Sequence, residues 1–141
     1  MLRAVATRPL LLVLAAWALV GCGDQGPSDE EKIRSTLTQF ERATADGDYR
    51  ALCDRILAPA LVETVKQIGL PCVAALEQGF EDVREPRLSV GAVAVEGDSA
   101  TAQVRSSAAG QAPSEDTVEL IRVGDAWRIA SLSTGAASAA P

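Results

Sequence analysis

The order of hydrophobic periodicities predicts an α+β domain, with helices packed on one face of a curved antiparallel sheet of about four strands. Three observations carry this expectation. Apolar residues recur at spacings of three and four from Ile33 to Phe80, and they alternate with polar ones after Glu85-Pro86. The alternating runs are separated by turn chemistry at Glu96-Gly97-Asp98-Ser99 and Gly124-Asp125.

Ser28 with Glu31 three residues later forms a capping box, and Asp29, Glu30 and Glu31 favour the positive end of a helix dipole. A first helix therefore starts there, with Ile33, Leu37, Phe40 and the aliphatic stem of Arg34 on its buried stripe. Gly47 supplies a left-handed stop and Asp48 a cap for a second helix carrying Leu52, Cys53, Ile56 and Leu57. A third helix, Pro59 to Gln67, puts Leu61, Val62, Val65 and Ile68 on one side. Pro71 occupies the first position of a fourth, which bears Cys72, Val73, Leu76 and Phe80.

In the sheet, the first strand places Leu88, Val90, Ala92 and Ala94 on one face, and the second alternates Ala100, Ala102 and Val104. Ala108 to Asp116 reads as a polar loop. Val118, Leu120, Ile121 and Val123 mark a third strand, and Trp127, Ile129 and Ser131 a fourth.

The chain has 141 residues, 19 acidic against 13 basic side chains, and no histidine. One modest domain fits that length, and chemistry that uses an imidazole as base or ligand is excluded. The acidic balance argues against a nucleic-acid partner, since phosphate-backbone binding needs a basic face. The 48% apolar content is uneven, with 16 of the first 21 residues apolar. Residues 1–21 show a basic start at Arg3 and Arg8, an apolar run from Leu10 to Val20 and a small-residue end, the layout of an export signal. That run is shorter than the roughly 20 residues a membrane-spanning helix needs. Its end, Leu19-Val20-Gly21-Cys22, resembles a bacterial lipobox.

The lipobox resemblance implies a diacylglycerol thioether on Cys22, cleavage before it, fatty acylation such as palmitate, and a place on the extracytoplasmic face of the cell membrane. Each buried methylene contributes about 0.8 kcal/mol, so two or three acyl chains hold a small domain that one chain holds only marginally. After cleavage 11 basic residues face 19 acidic ones, a net charge of −8. Anionic headgroups repel such a domain, which leaves the lipid as its membrane contact. Residues 22–28 read as a flexible tether, 29–133 as the folded domain and 134–141 as a disordered tail.

With Cys22 assigned to lipid, Cys53 and Cys72 remain as a pair on apolar helical faces. An exported compartment permits a disulfide, and closing a loop of about 20 residues stabilises by roughly 3 kcal/mol. The alternatives are a redox pair, which usually has two intervening residues, and a metal site, which lacks further thiol or imidazole ligands here. No metal or cofactor is expected.

The order of elements, the Ala45-Asp46-Gly47-Asp48 junction before a helix at Tyr49, and the late hairpin from Val118 to Ile129 resemble the nuclear transport factor 2-like superfamily, over roughly residues 29–133. The cysteine pair is similar to that of small actinobacterial lipoproteins with this domain. The resemblance implies a cone whose interior can form a pocket, in a superfamily that holds enzymes, ligand binders and interaction modules, so fold does not settle function. Its catalytic members use an aspartate with tyrosine or histidine partners, and no position here matches those motifs. No catalytic residue is therefore assigned.

The remaining candidates have structural readings. Asp48 and Tyr49 read as a turn aspartate and a half-exposed helix tyrosine, and Glu81, Asp82 and Glu85 as a solvated helix end. Trp127 reads as a core anchor. The expected function is a membrane-anchored, non-catalytic module whose partner is an envelope protein or a small apolar ligand. The alternative is a cyclase- or isomerase-like enzyme using an Asp in the cone. The contents of the cone separate them: an enzyme needs a carboxylate facing an open cavity, whereas an interaction module fills its cone with leucine, valine and Trp127.

Overall fold

A computed structural model describes residues 26–134. The expected export signal 1–21, the expected lipidation site Cys22 with the start of the expected tether, and residues 135–141 of the expected tail lie outside the described residues.

Helix α1 (Asp29–Asp46) begins on the capping box. The Glu31 N–H donates to Ser28 Oγ at 3.2 Å, and the Ser28 N–H donates to the Glu31 carboxylate at 2.6 Å. These bonds hold the Glu31 carboxyl below its ordinary pKa, the backbone bond from Ser28 contributing most. The helix ends on Gly47 at φ 68°, a conformation in which a Cβ is strained. Its buried face carries Ile33, Leu37, Ala43 and Thr44.

The second helix is shorter than its apolar spacing predicts. After α2 (Tyr49–Ala51), capped by the Asp48 side chain on the Ala51 N–H, the chain widens into a π-helical turn, Leu52–Ile56. The Leu57 N–H reaches back to the Leu52 carbonyl at 2.8 Å. Leu57 is extended but still buried, because it pairs in parallel with Ile129. Helix α3 (Pro59–Gln67) has its predicted bounds. Its apolar side is less engaged than its spacing implies: Leu61 and Val62 are half-buried, and Ile68, beyond the helix end, is 76% exposed. Helix α4 (Cys72–Gly79) starts one residue later than expected, with Pro71 as an extended cap. The Cys53–Cys72 disulfide ties the π turn to the start of α4, with a Cα–Cα separation of 6.1 Å.

Strands β1 (Arg87–Glu96), β2 (Ser99–Ser107), β3 (Ser114–Val123) and β4 (Ala126–Thr134) form an antiparallel meander in the order β1-β2-β3-β4. A bulge between Val90 and Val93 resets the alternation in β1. Leu88, Val90 and Val93 therefore pack against the core, while Ala92 and Ala94, expected inside, are exposed. A second bulge leaves Ala130 of β4 unpaired between Ile129 and Ser131. β4 continues through Thr134, expected from sequence as the first residue of the tail, because it pairs with Asp116 of β3.

The sheet curves so that α1 packs against both outer strands, β1 and β4. Side chains of α1 also occupy the backbone of β1. Arg34 donates to the Val90 and Gly91 carbonyls at 3.1 and 2.9 Å, and the Leu88 N–H donates to Glu41 Oε2. On the opposite edge the Ala58 N–H donates to the Ile129 carbonyl at 2.7 Å. Covering both edges in this way limits pairing with foreign strands.

Candidate functional site

The strand directions give the cone two ends. The β1–β2 and β3–β4 turns lie at one end, with the start of α1; the beginnings of β1 and β3 lie at the other, with the second half of α1.

At the turn end Trp127, Asp29 and Arg122 are paired with one another, while Arg128 Nε is buried without a hydrogen-bond partner among the described residues. Trp127, 2% exposed, donates its indole N–H to Asp29 Oδ1 at 3.0 Å. The other Asp29 oxygen accepts from Arg122 at 2.7 Å, and Arg122 reaches Asp98 at 3.2 Å while lying 4.7 Å above the Trp127 ring. The hydrogen bond from Arg122 holds the Asp29 carboxyl below its ordinary pKa, and the one from Trp127 adds to it. The same partnership raises Arg122. Trp127 is thus the core anchor expected of it, closing the cone by packing and not by forming a pocket.

The other end is open. A cavity of about 240 Å³ lies between α1, the end of α4 and the beginnings of the strands. Phe40, Phe80, Leu88, Val104 and Val118 give it an apolar wall, with Asp116 among them. The phenyl rings meet edge to face at 6.3 Å, and Tyr49 stacks on Phe80 at 6.0 Å, so the aromatic wall is buttressed from behind.

Asp116 does not lie in a loop, as its polar neighbours suggest in sequence, but in β3. It shares the inward phase of Val118 and Leu120 and is half-buried. Its Oδ2 accepts from the Ser114 and Ser106 hydroxyls at 2.8 and 3.2 Å. Its Oδ1 is buried and has no hydrogen-bond partner among the described residues. Buried carboxylate oxygens normally find donors, so an unmatched one on a residue that lines a cavity singles that residue out, although the oxygen itself is closed to solvent in this structure. Sequence reasoning passed over this residue, although extending the Val118-Leu120 alternation two positions back reaches it.

Three of the other polar lining side chains, Glu41, Gln111 and Arg87, are engaged. Glu41 accepts from β1 backbone, the Gln111 amide donates to the Asp82 carbonyl at 3.4 Å, and the exposed Arg87 donates to the Pro86 carbonyl at 3.3 Å. Glu81, Asp82 and Glu85 are exposed, and no cluster of three potential metal-ligating side chains occurs among the described residues. Among those residues no helix is long and apolar enough to cross a membrane.

Curved meander, wrapped first helix and open end together define the NTF2-like fold. Solved structures agree. An NTF2-like protein of unknown function from Silicibacter pomeroyi superposes with TM-score 0.51 at 19% identity, over 72% of this chain and 89% of that one. A chain designated as an NTF2 variant with five substitutions gives 0.57 at 11% identity, over 77% and 100%. A de novo designed NTF2 fold protein gives 0.50 at 17%, over 76% and 87%. No protein-family model and no curated protein matches the sequence. The likeness therefore establishes the fold alone, one with both enzymatic and non-enzymatic members.

Proposed function

We propose that this chain is a lipoprotein, anchored through lipid on Cys22 at the extracytoplasmic face of the cell membrane, whose cone binds a small, mainly apolar ligand without transforming it. The observation that carries the binding role is the open apolar cavity with Asp116 on its wall. A cone serving only as an interaction module is filled by side chains, as this one is at its Trp127 end.

The anchoring half of the proposal rests on Leu19-Val20-Gly21-Cys22 and the export signal before it. The Cys53–Cys72 disulfide is consistent with an oxidising compartment. Mass spectrometry of the N-terminal peptide tests this half. A diacylglyceryl Cys22 that disappears under globomycin supports it, and an unmodified mature Cys22 overturns it.

Asp116 also favours a second reading, an isomerase- or cyclase-like enzyme with this carboxylate as base. Binding is the better fit because such catalysis needs donors preorganised where charge develops. Here Ser106, Gln111 and Arg87 are all engaged within the protein. Extraction of the native protein from its own membrane separates the readings. A stoichiometric small molecule released unchanged on denaturation supports binding, and consumption of that molecule by fresh protein supports the enzyme. Recovery of a protein partner with an empty cavity contradicts both.

A further inference from the structure

From the wall chemistry of the cavity we infer that the ligand is an organic ammonium: an apolar body, aliphatic or aromatic, ending in a protonated primary or secondary amine that donates to Asp116. The inference rests on the ligand-binding reading and specifies its chemistry. Three features lead to it. Asp116 lines the cavity with its Oδ2 held by two serine hydroxyls, and its Oδ1, closed to solvent in this structure, is short of a donor. Phe40 and Phe80 stand on the same cavity, and aromatic faces attract cations while accommodating hydrocarbon. The third feature is the charge balance of the lining. Asp116 and Glu41 outnumber Arg87, whose guanidinium is at the exposed rim, and the exported domain carries net −8.

A carboxylate ligand would meet Asp116 as a like charge, and a pure hydrocarbon would leave its oxygen unmatched. An ammonium end satisfies it with a charge-assisted hydrogen bond. Size agrees as well. About 240 Å³ corresponds to roughly eight waters at ~30 Å³ each, room for a ring and a short chain.

The test is an NMR titration of the purified protein with three probes of one shape: 2-phenylethylamine, 2-phenylethanol and ethylbenzene. The amine is expected to bind most tightly, shifting the amides of Phe80, Leu88 and Asp116. In Asp116→Asn its affinity should fall at least about tenfold, the scale of a lost charged hydrogen bond, while ethylbenzene binds as before. Because the three probes are compared on the unaltered protein, the inference stays testable if the variant folds poorly. Equal binding of all three probes overturns the ammonium assignment and leaves the apolar cavity standing. Absence of binding by any of them overturns both.

Discussion

The two ends of the cone use the same kinds of side chain to opposite effect. At the turn end an aspartate, an arginine and an aromatic ring are paired with one another: Asp29 takes donors from Trp127 and Arg122, and the indole fills the space between helix and sheet. At the open end an aspartate and aromatic rings surround empty volume, and one carboxylate oxygen is unmatched. Both aspartates are half-buried, Asp29 at the start of α1 and Asp116 in β3. Only one serves the fold. A marginally stable domain that tolerates an unmatched buried oxygen and a cavity gives up stability at that place, which is the usual mark of a site kept for something else.

The largest effect should come from emptying the filled end. Trp127→Ala removes the largest fully buried side chain, and the loss should be about 3–5 kcal/mol, measured by urea unfolding. Next comes the disulfide, which closes a separation of 19 residues. Cys53→Ser should cost roughly 3 kcal/mol, with Cys72→Ser and the double variant equal to it. A double variant markedly worse than either single one would mean that the cysteines contribute separately.

A smaller effect should appear in acid. Asp29 and Glu31 are both held below their ordinary values when folded, so their contribution is present above the unfolded carboxylate range, about pH 4, and is lost as pH falls through the lowered folded values. Thermal midpoints of the unaltered protein should therefore decline from about pH 4 downward. In Asp29→Asn that decline should be shallower. An identical acid profile would show that the turn-end cluster contributes nothing through charge.

Much of the frame was legible from short-range chemistry. Ser28 and Glu31 placed the start of α1, Gly47 its end, and the alternation around Val118 and Trp127 the late hairpin, because each rests on contacts between near neighbours. What escaped depends on distant partners. The bulge after Val90, which turns Ala92 and Ala94 outward, has no turn residue beyond Gly91 to announce it. The π turn at Leu52–Ile56 follows from Leu57 leaving the helix to pair with Ile129, some seventy positions away. Asp116 was hidden by composition: Gly110, Pro113 and Ser114 before it look like loop, and only pairing with β2 and β4 makes it part of the inner face. The site was thus less legible than the fold, since a functional carboxylate in an apolar row breaks the pattern by which rows are recognised.

The most direct measurement compares the folding stability of Asp116→Val with that of the unaltered protein. Valine extends the Val118-Leu120 row, removes an oxygen that has no donor and leaves the Trp127 end untouched. If the open end is a binding site and not part of the scaffold, the variant unfolds within about 1 kcal/mol of the parent or above it, since relief of the unmatched oxygen offsets the two lost serine bonds. A loss of more than about 2 kcal/mol would make Asp116 a structural residue like Asp29 and contradict the distinction between the two ends.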